Sequence, residues 1–236
     1  MTLSASENRA ANSNTMYSAQ LPDGRDPSPI PFDDGWGDLK DLAFDSLVEK
    51  IERGGRVEFD NEQRVHVYSV CYNMCTQKKP YNWSGRLYAQ FKQSISNYLK
   101  EKVFRSLRSK SGEDQLRELV RRWRNHQVRC SGGWLRELKR LSCQRNSQTH
   151  SRCTHSCDAV VAHLKTCDLS PYRQVMTKWL VRFFSYLDRF YVKRLALPRL
   201  NKVAVDCFRE LVFMPCSESI CDSFIGMMTR ERRGVS

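Results

Sequence analysis

Between residues 128 and 174 the chain carries Cys130, Cys143, Cys153, Cys157 and Cys167, together with His150, His155 and His163. Thiolates and imidazoles are the ligands that zinc takes in a tetrahedron, and structural sites usually supply them as closely spaced pairs. Cys153 and Cys157 have a usable gap, and His163 with Cys167 could supply a second pair. The other spacings are irregular, so zinc is the lesser reading of this segment.

A second reading rests on the segment's edges, Gln127-Val128 and Gln174-Val175. Every valine codon begins GT and a glutamine codon can end AG. An intron kept in frame would begin and end with those letters, and its translation would have an arbitrary composition. Residues 128–174 are therefore read as an insert arising from a translated intron or gene-model error, with no metal and no cofactor. Transcripts that all keep the stretch, none joining Gln127 to Val175, would refute this. Two short amphipathic turns could still form inside it, one on Trp134, Leu135, Leu138 and Leu141, the other on Ala159, Val160, His163 and Leu164.

Elsewhere the sequence has no Gly-rich phosphate loop, no HExxH and no G-x-S-x-G elbow. No Cys–His pair is marked as activated. The chain reads as a non-enzyme, and its function must then lie in surfaces that helices present.

Those helices are legible from spacing. Trp36, Leu39, Ala43, Leu47 and Ile51 recur every three or four residues, and Gly54-Gly55 ends the run. A second helix covers about Glu62 to Cys75. Its apolar residues go most of the way round, so it must be central or have one side awaiting a partner. Ser84 is a plausible cap for a third helix, with its stripe running from Leu87 to Leu107. A fourth starts near Ser111, with Glu113 and Asp114 placed where the dipole favours acids. Met176, Trp179, Leu180, Phe183, Phe184, Leu187, Phe190 and Tyr191 form a further stripe. Two more helices complete the pattern, Leu200 to Val212, stopped before Pro215, and Ile220 to Met228. No strand pattern is seen. The expected fold is an all-α bundle of about seven helices before counting the insert.

Residues 1–32 are rich in Ser, Asn, Pro and Asp, which predicts a disordered tail. The domain plan is therefore tail 1–32, helical part 33–127, insert 128–174 and helical part 175–236. No apolar run reaches the roughly 18 residues of a membrane span, and the N-terminus lacks a secretory or basic leader. The expected location is the cytoplasm or nucleus, away from membranes. Ten cysteines are then free thiols or ligands, and Cys71, Cys75, Cys207 and Cys221 fall in helical apolar patterns as core residues. The net charge of +13 could serve nucleic acid, but it is spread along the chain without a basic arm.

Three stretches carry a family resemblance: Val70-Cys71-Tyr72-Asn73-Met74-Cys75-Thr76-Gln77-Lys78-Lys79-Pro80-Tyr81-Asn82-Trp83, Arg117-Glu118-Leu119-Val120-Arg121-Arg122-Trp123-Arg124-Asn125-His126, and Trp179-Leu180-Val181-Arg182-Phe183-Phe184-Ser185-Tyr186-Leu187-Asp188-Arg189-Phe190-Tyr191. Asp34-Gly35-Trp36, Tyr88, Tyr98-Leu99, Leu197-Pro198 and Cys207-Phe208-Arg209-Glu210-Leu211-Val212 also fit. Together they resemble the first repeat of a plant-type cullin of the Skp/F-box class, a ubiquitin-ligase scaffold. The resemblance implies a cullin-repeat helical bundle that binds a Skp-type adaptor, and through it F-box proteins, with its second and fifth helices. Residues 128–174 have no counterpart in that pattern. The sequence stops near the end of the first repeat, so a RING subunit is not an expected partner.

The resemblance places adaptor contacts on Arg64, Val65 and Tyr68 of the second helix and on Arg182, Tyr186, Asp188 and Arg189 of the fifth. An aromatic residue is usual where Arg64 stands, so adaptor affinity should be weaker by about 1–3 kcal/mol. Tyr68 and Tyr186 also fit a core stripe, which leaves both roles open. Three functions are compatible with these readings: an adaptor-binding cullin-like module, a basic helical nucleic-acid binder with a zinc-held insert, or a degenerate cullin fragment.

Overall fold

A computed structural model of the chain describes residues 29–54, 57–126 and 176–233. The tail and the insert, with every candidate zinc ligand, lie outside these residues apart from Pro29–Phe32. Among the described residues the structure is helical and contains no strand.

The α-helices are α1 Phe32–Leu39, α2 Ser46–Arg53, α3 Asn61–Thr76, α4 Ser84–Tyr98, α5 Arg105–Arg108, α6 Gly112–His126, α7 Met176–Phe183, α8 Leu200–Phe208 and α9 Met214–Arg232. Wider π-helical stretches join several of them: Lys40–Asp45, Leu99–Phe104, Leu187–Val192 and Arg209–Phe213. A π turn takes an extra residue, so it rotates the residues after it relative to a regular helix. The last two expected helices are therefore one run, and Pro215 does not stop it. Pro215 lies inside this run, just after the π-helical Arg209–Phe213 stretch has departed from the regular hydrogen-bond ladder.

The residues form two compact units. The first comprises 29–53, 57–91 and 179–200. At its centre Phe44 meets Trp36, Phe91 and Phe184 with ring centroids 5.6–5.8 Å apart. Phe59 packs edge-on against Phe183 and tilted against Trp179, both at 5.0 Å. Asp60 caps α3 by accepting the Gln63 N–H at 2.6 Å. Gly54 ends α2 at φ 73°, a left-handed backbone that glycine adopts without strain.

Several family-pattern residues close this unit. The Trp83 N–H donates to the Met74 carbonyl at 2.9 Å, Asn82 donates to the Cys75 carbonyl, and the Tyr88 hydroxyl donates to the Pro198 carbonyl at 2.9 Å. The expected cap, Ser84, is the first residue of α4 and is buried. Its N–H donates to Asn82 Oδ1 at 3.3 Å. The tail boundary at 32 also shifts, because Ile30 is already packed. The Gln77 side chain accepts the Ile30 N–H, and Trp83 Nε1 donates to the Ile30 carbonyl at 2.9 Å.

The second unit contains residues 92–126, 176–178 and 201–233. Leu116, Leu119 and Trp123 of α6 and Ile220, Phe224 and Met228 of α9 are buried in it. The Leu200–Arg230 run reaches a mean hydropathy of 1.2, yet half of that apolar window is buried inside the protein. Cys207 and Cys221 are buried free thiols, as are Cys71 and Cys75 of the first unit.

His126 ends α6 inside this core. Its Nε2 lies 2.7 Å from the Ala204 carbonyl and its ring 5.1 Å from that of Phe208. Burial pushes its pKa down to about 4, against a partial upward pull from the Ala204 carbonyl. The neutral ring therefore donates from Nε2. Because the folded pKa is depressed, this contribution is complete above pH 6.5 and is lost as pH falls towards 4. Between about pH 7.5 and 5 the loss should reach about 2 kcal/mol. Urea unfolding at the two pH values should show it, and His126→Gln should remove most of it.

Candidate protein-docking site

In the first unit, α3 has two apolar faces. Val67, Val70, Cys71, Met74 and Cys75 are buried, whereas Val65, Tyr68 and Tyr72 are 64%, 40% and 41% exposed. Positions 65, 68 and 72 are three and four residues apart, so they share one outward side. The helix is buried along one face and, among the described residues, keeps Val65, Tyr68 and Tyr72 exposed along the other.

The second strip comes from Ser185 to Val192. The Leu187–Val192 stretch turns Leu187, Asp188 and Val192 inward and leaves Arg189 and Phe190 outside. Phe190 is 59% exposed, against its expected place in the core stripe. Its ring stacks on Tyr186 at 4.5 Å. Tyr186 meets the edge of Tyr72 at 4.8 Å, and Tyr72 lies 6.4 Å from Tyr68 in a stacked pair. Tyr68, Tyr72, Tyr186 and Phe190 thus form one aromatic ridge across two elements. Burial, then Tyr72, Cys75 and Tyr68, push the Tyr186 phenol up, with Arg194 drawing it down.

The residues named from sequence divide into four groups. Val65, Tyr68 and the half-buried Tyr186 lie on or beside the ridge. Arg64 is half-buried one turn before Tyr68, with Nε donating to the Asp60 carbonyl at 3.3 Å. Arg182 and Arg189 are exposed on the second strip, Arg182 lying 5.8 Å from the Trp179 ring centroid.

Asp188 alone turns inward. Its carboxylate accepts from Arg199 Nη1 at 2.7 Å and from the Leu200 N–H at 2.9 Å, which fastens the start of α8. It therefore acts on the ridge by position. Asp188→Ala should cost about 1–2 kcal/mol, typical of a lost helix cap, seen as a lower urea midpoint at unchanged m value.

Tyr72 and Phe190 are not among the contacts expected from sequence. Tyr72 is detectable there, because it lies one turn after Tyr68. Phe190 is not, because a regular helix would bury it.

The described residues thus carry an exposed aromatic ridge on a helical scaffold. The "Cullin alpha solenoid domain" family model matches residues 44–156 and 170–236, and the chain belongs to the cullin family. The match leaves out 157–169, a shorter gap than the 128–174 segment set apart on sequence. Cullin-1 of Oryza sativa subsp. japonica is 30% identical over 205 residues, covering 87% of this chain and 21% of that protein. Cullin-2 of Arabidopsis thaliana is 28% identical over 176 residues, 75% of this chain and 17% of that protein. Cullin-like protein 3 of Arabidopsis thaliana is 24% identical over 212 residues, 88% and 61% respectively. The chain thus spans about a fifth of the length of the two cullins named. No solved structure matches it.

Proposed function

We propose that the Tyr68–Tyr72–Tyr186–Phe190 ridge docks a Skp-type adaptor and, through it, F-box proteins. The chain then acts as a non-catalytic cullin-like module of ubiquitin-dependent degradation in the cytoplasm or nucleus. One observation supports this most directly. The two helices that the family resemblance assigns to docking leave Tyr68, Tyr72 and Phe190 exposed, joined through the half-buried Tyr186. Contiguous exposed apolar surface marks interaction sites, and aromatic anchors dominate their energetics. Arg64 stands at the head of the strip where the family pattern carries an aromatic, so the affinity is expected to be modest.

The test is capture of a recombinant plant Skp-type adaptor on the immobilised full chain. A version joining Gln127 to Val175 serves as the second bait. Retention by either is the expected result. Retention by neither overturns the proposal.

A further inference from the structure

The ridge is bordered by positive charge that no carboxylate among the described residues pairs with. Residues 179–199 contain Arg182, Arg189, Lys193, Arg194 and Arg199, with Asp188 their only carboxylate. Asp188 is bonded to Arg199. Among the described residues, no carboxylate lies within ion-pair distance of the other four cations. All four are exposed. Arg182, Arg189, Phe190, Lys193 and Arg194 are all exposed on this one stretch around the half-buried Tyr186, and Arg194 lies near enough to act on the Tyr186 phenol. Arg64 adds a cation on α3, and Glu62, in the first turn of that helix, is the exposed acid there. Like charges held this close repel one another and favour a counter-charged surface.

Resting on the adaptor reading, we infer that the partner meets this ridge with an acidic rim: an apolar centre for the four rings, bordered by carboxylates facing Arg182, Arg189, Lys193 and Arg194. The rings supply contact area, and the cations supply steering and register. A cationic, aromatic surface could also suit single-stranded nucleic acid, which needs open ring faces for its bases. Here Tyr186 has Phe190 stacked on it and the edge of Tyr72 against it. That interlocking favours an acidic protein surface.

The experiment measures association and dissociation rates of the full chain with a recombinant plant Skp-type adaptor. Raising salt from about 0.05 to 0.5 M should slow association about tenfold or more, with little change in dissociation. Arg189→Glu with Lys193→Glu should slow association about tenfold at low salt while the thermal melt stays unchanged. Arg182→Glu provides a second variant if the pair unfolds the protein. Tyr72→Ala should instead speed dissociation. A complex whose association is insensitive to salt and to charge reversal overturns the acidic-rim inference and leaves the docking reading standing. No complex at any salt, with either the full chain or the version joining Gln127 to Val175, overturns both. Capture of a single-stranded oligonucleotide in place of the adaptor, lost in the charge-reversed variants, also overturns both and identifies a nucleic-acid surface.

Discussion

Alanine at Tyr72 is expected to weaken adaptor binding by about 2–3 kcal/mol, roughly 30- to 150-fold in Kd. Tyr72 links α3 to the second strip through its 4.8 Å contact with Tyr186, so its loss separates the two halves of the ridge. Tyr186→Ala should have a similar effect. The double variant should lose less than the sum, because the two rings act on one another as well as on a partner. Val65 is exposed beside the ridge and brings no ring to it, so Val65→Ala should cost far less. Isothermal titration of the four proteins against one adaptor preparation checks the order. If Val65→Ala costs as much as Tyr72→Ala, the ridge is not the anchor. Tyr72 is 41% exposed, so its removal should leave folding almost intact.

Glu118→Ala should have the largest effect on folding, about 3–5 kcal/mol, the scale of breaking a buried ion pair. Glu118 is nearly fully buried in the second unit. It accepts from Arg122 Nε at 2.7 Å, Arg121 Nη2 at 2.6 Å, Lys110 Nζ at 2.9 Å and Ser106 Oγ at 2.8 Å. Burial by itself would raise its pKa, but Arg121, Lys110, Arg122 and Ser106 together hold it well below the usual carboxylate range. Arg121 and Lys110 are partly solvated and can turn to water. Arg122 is 6% exposed and loses a buried counter-charge, which accounts for most of the cost. Removing Arg122 as well, as Glu118→Leu/Arg122→Met, should recover much of the loss, because a neutral apolar pair leaves no buried charge. Urea denaturation of the single and double variants tests this. Since the folded pKa is depressed, the Glu118 contribution is complete above about pH 4.5 and is lost only in stronger acid. The His126 effect falls in a higher and separate window, so the two can be measured in one pH series.

The hydrophobic spacing places α3 and α6 to within a few residues, and the stripes over α1, α4 and α7 run on through the helical stretches that follow them. The buried side of each contains the residues that its stripe names, such as Leu39 and Leu47, Leu87 and Phe91, Leu119 and Trp123. Capping is less legible. Asn82 takes the role expected of Ser84, because Ser84 is drawn into the core beside Cys75. The π-helical stretches leave no mark in a periodicity argument, which assigns Phe190 to the core. Reading proline as a helix stop divides the Leu200–Arg232 run at Pro215.

The site is divided in the same way. A chain that is apolar around most of α3 must either be central or await a partner, and that much comes from composition and helical geometry. Which side of α3 faces out is a matter of packing. Val67, Val70 and Met74 are buried in the unit whose centre Phe44, Phe91 and Phe184 occupy, while Val65, Tyr68 and Tyr72 stay exposed. The meeting of Tyr72 with Tyr186 joins residues more than a hundred positions apart, and no local pattern specifies it. Asp188 shows the same limit at a single residue. Its type and position fit a surface contact, but the fold brings Arg199 and the Leu200 N–H to its carboxylate and turns it inward. Local rules settle which residues can be helical and which want burial. Contacts between distant segments settle which of them remain on the surface, because interior space is limited and close-packed.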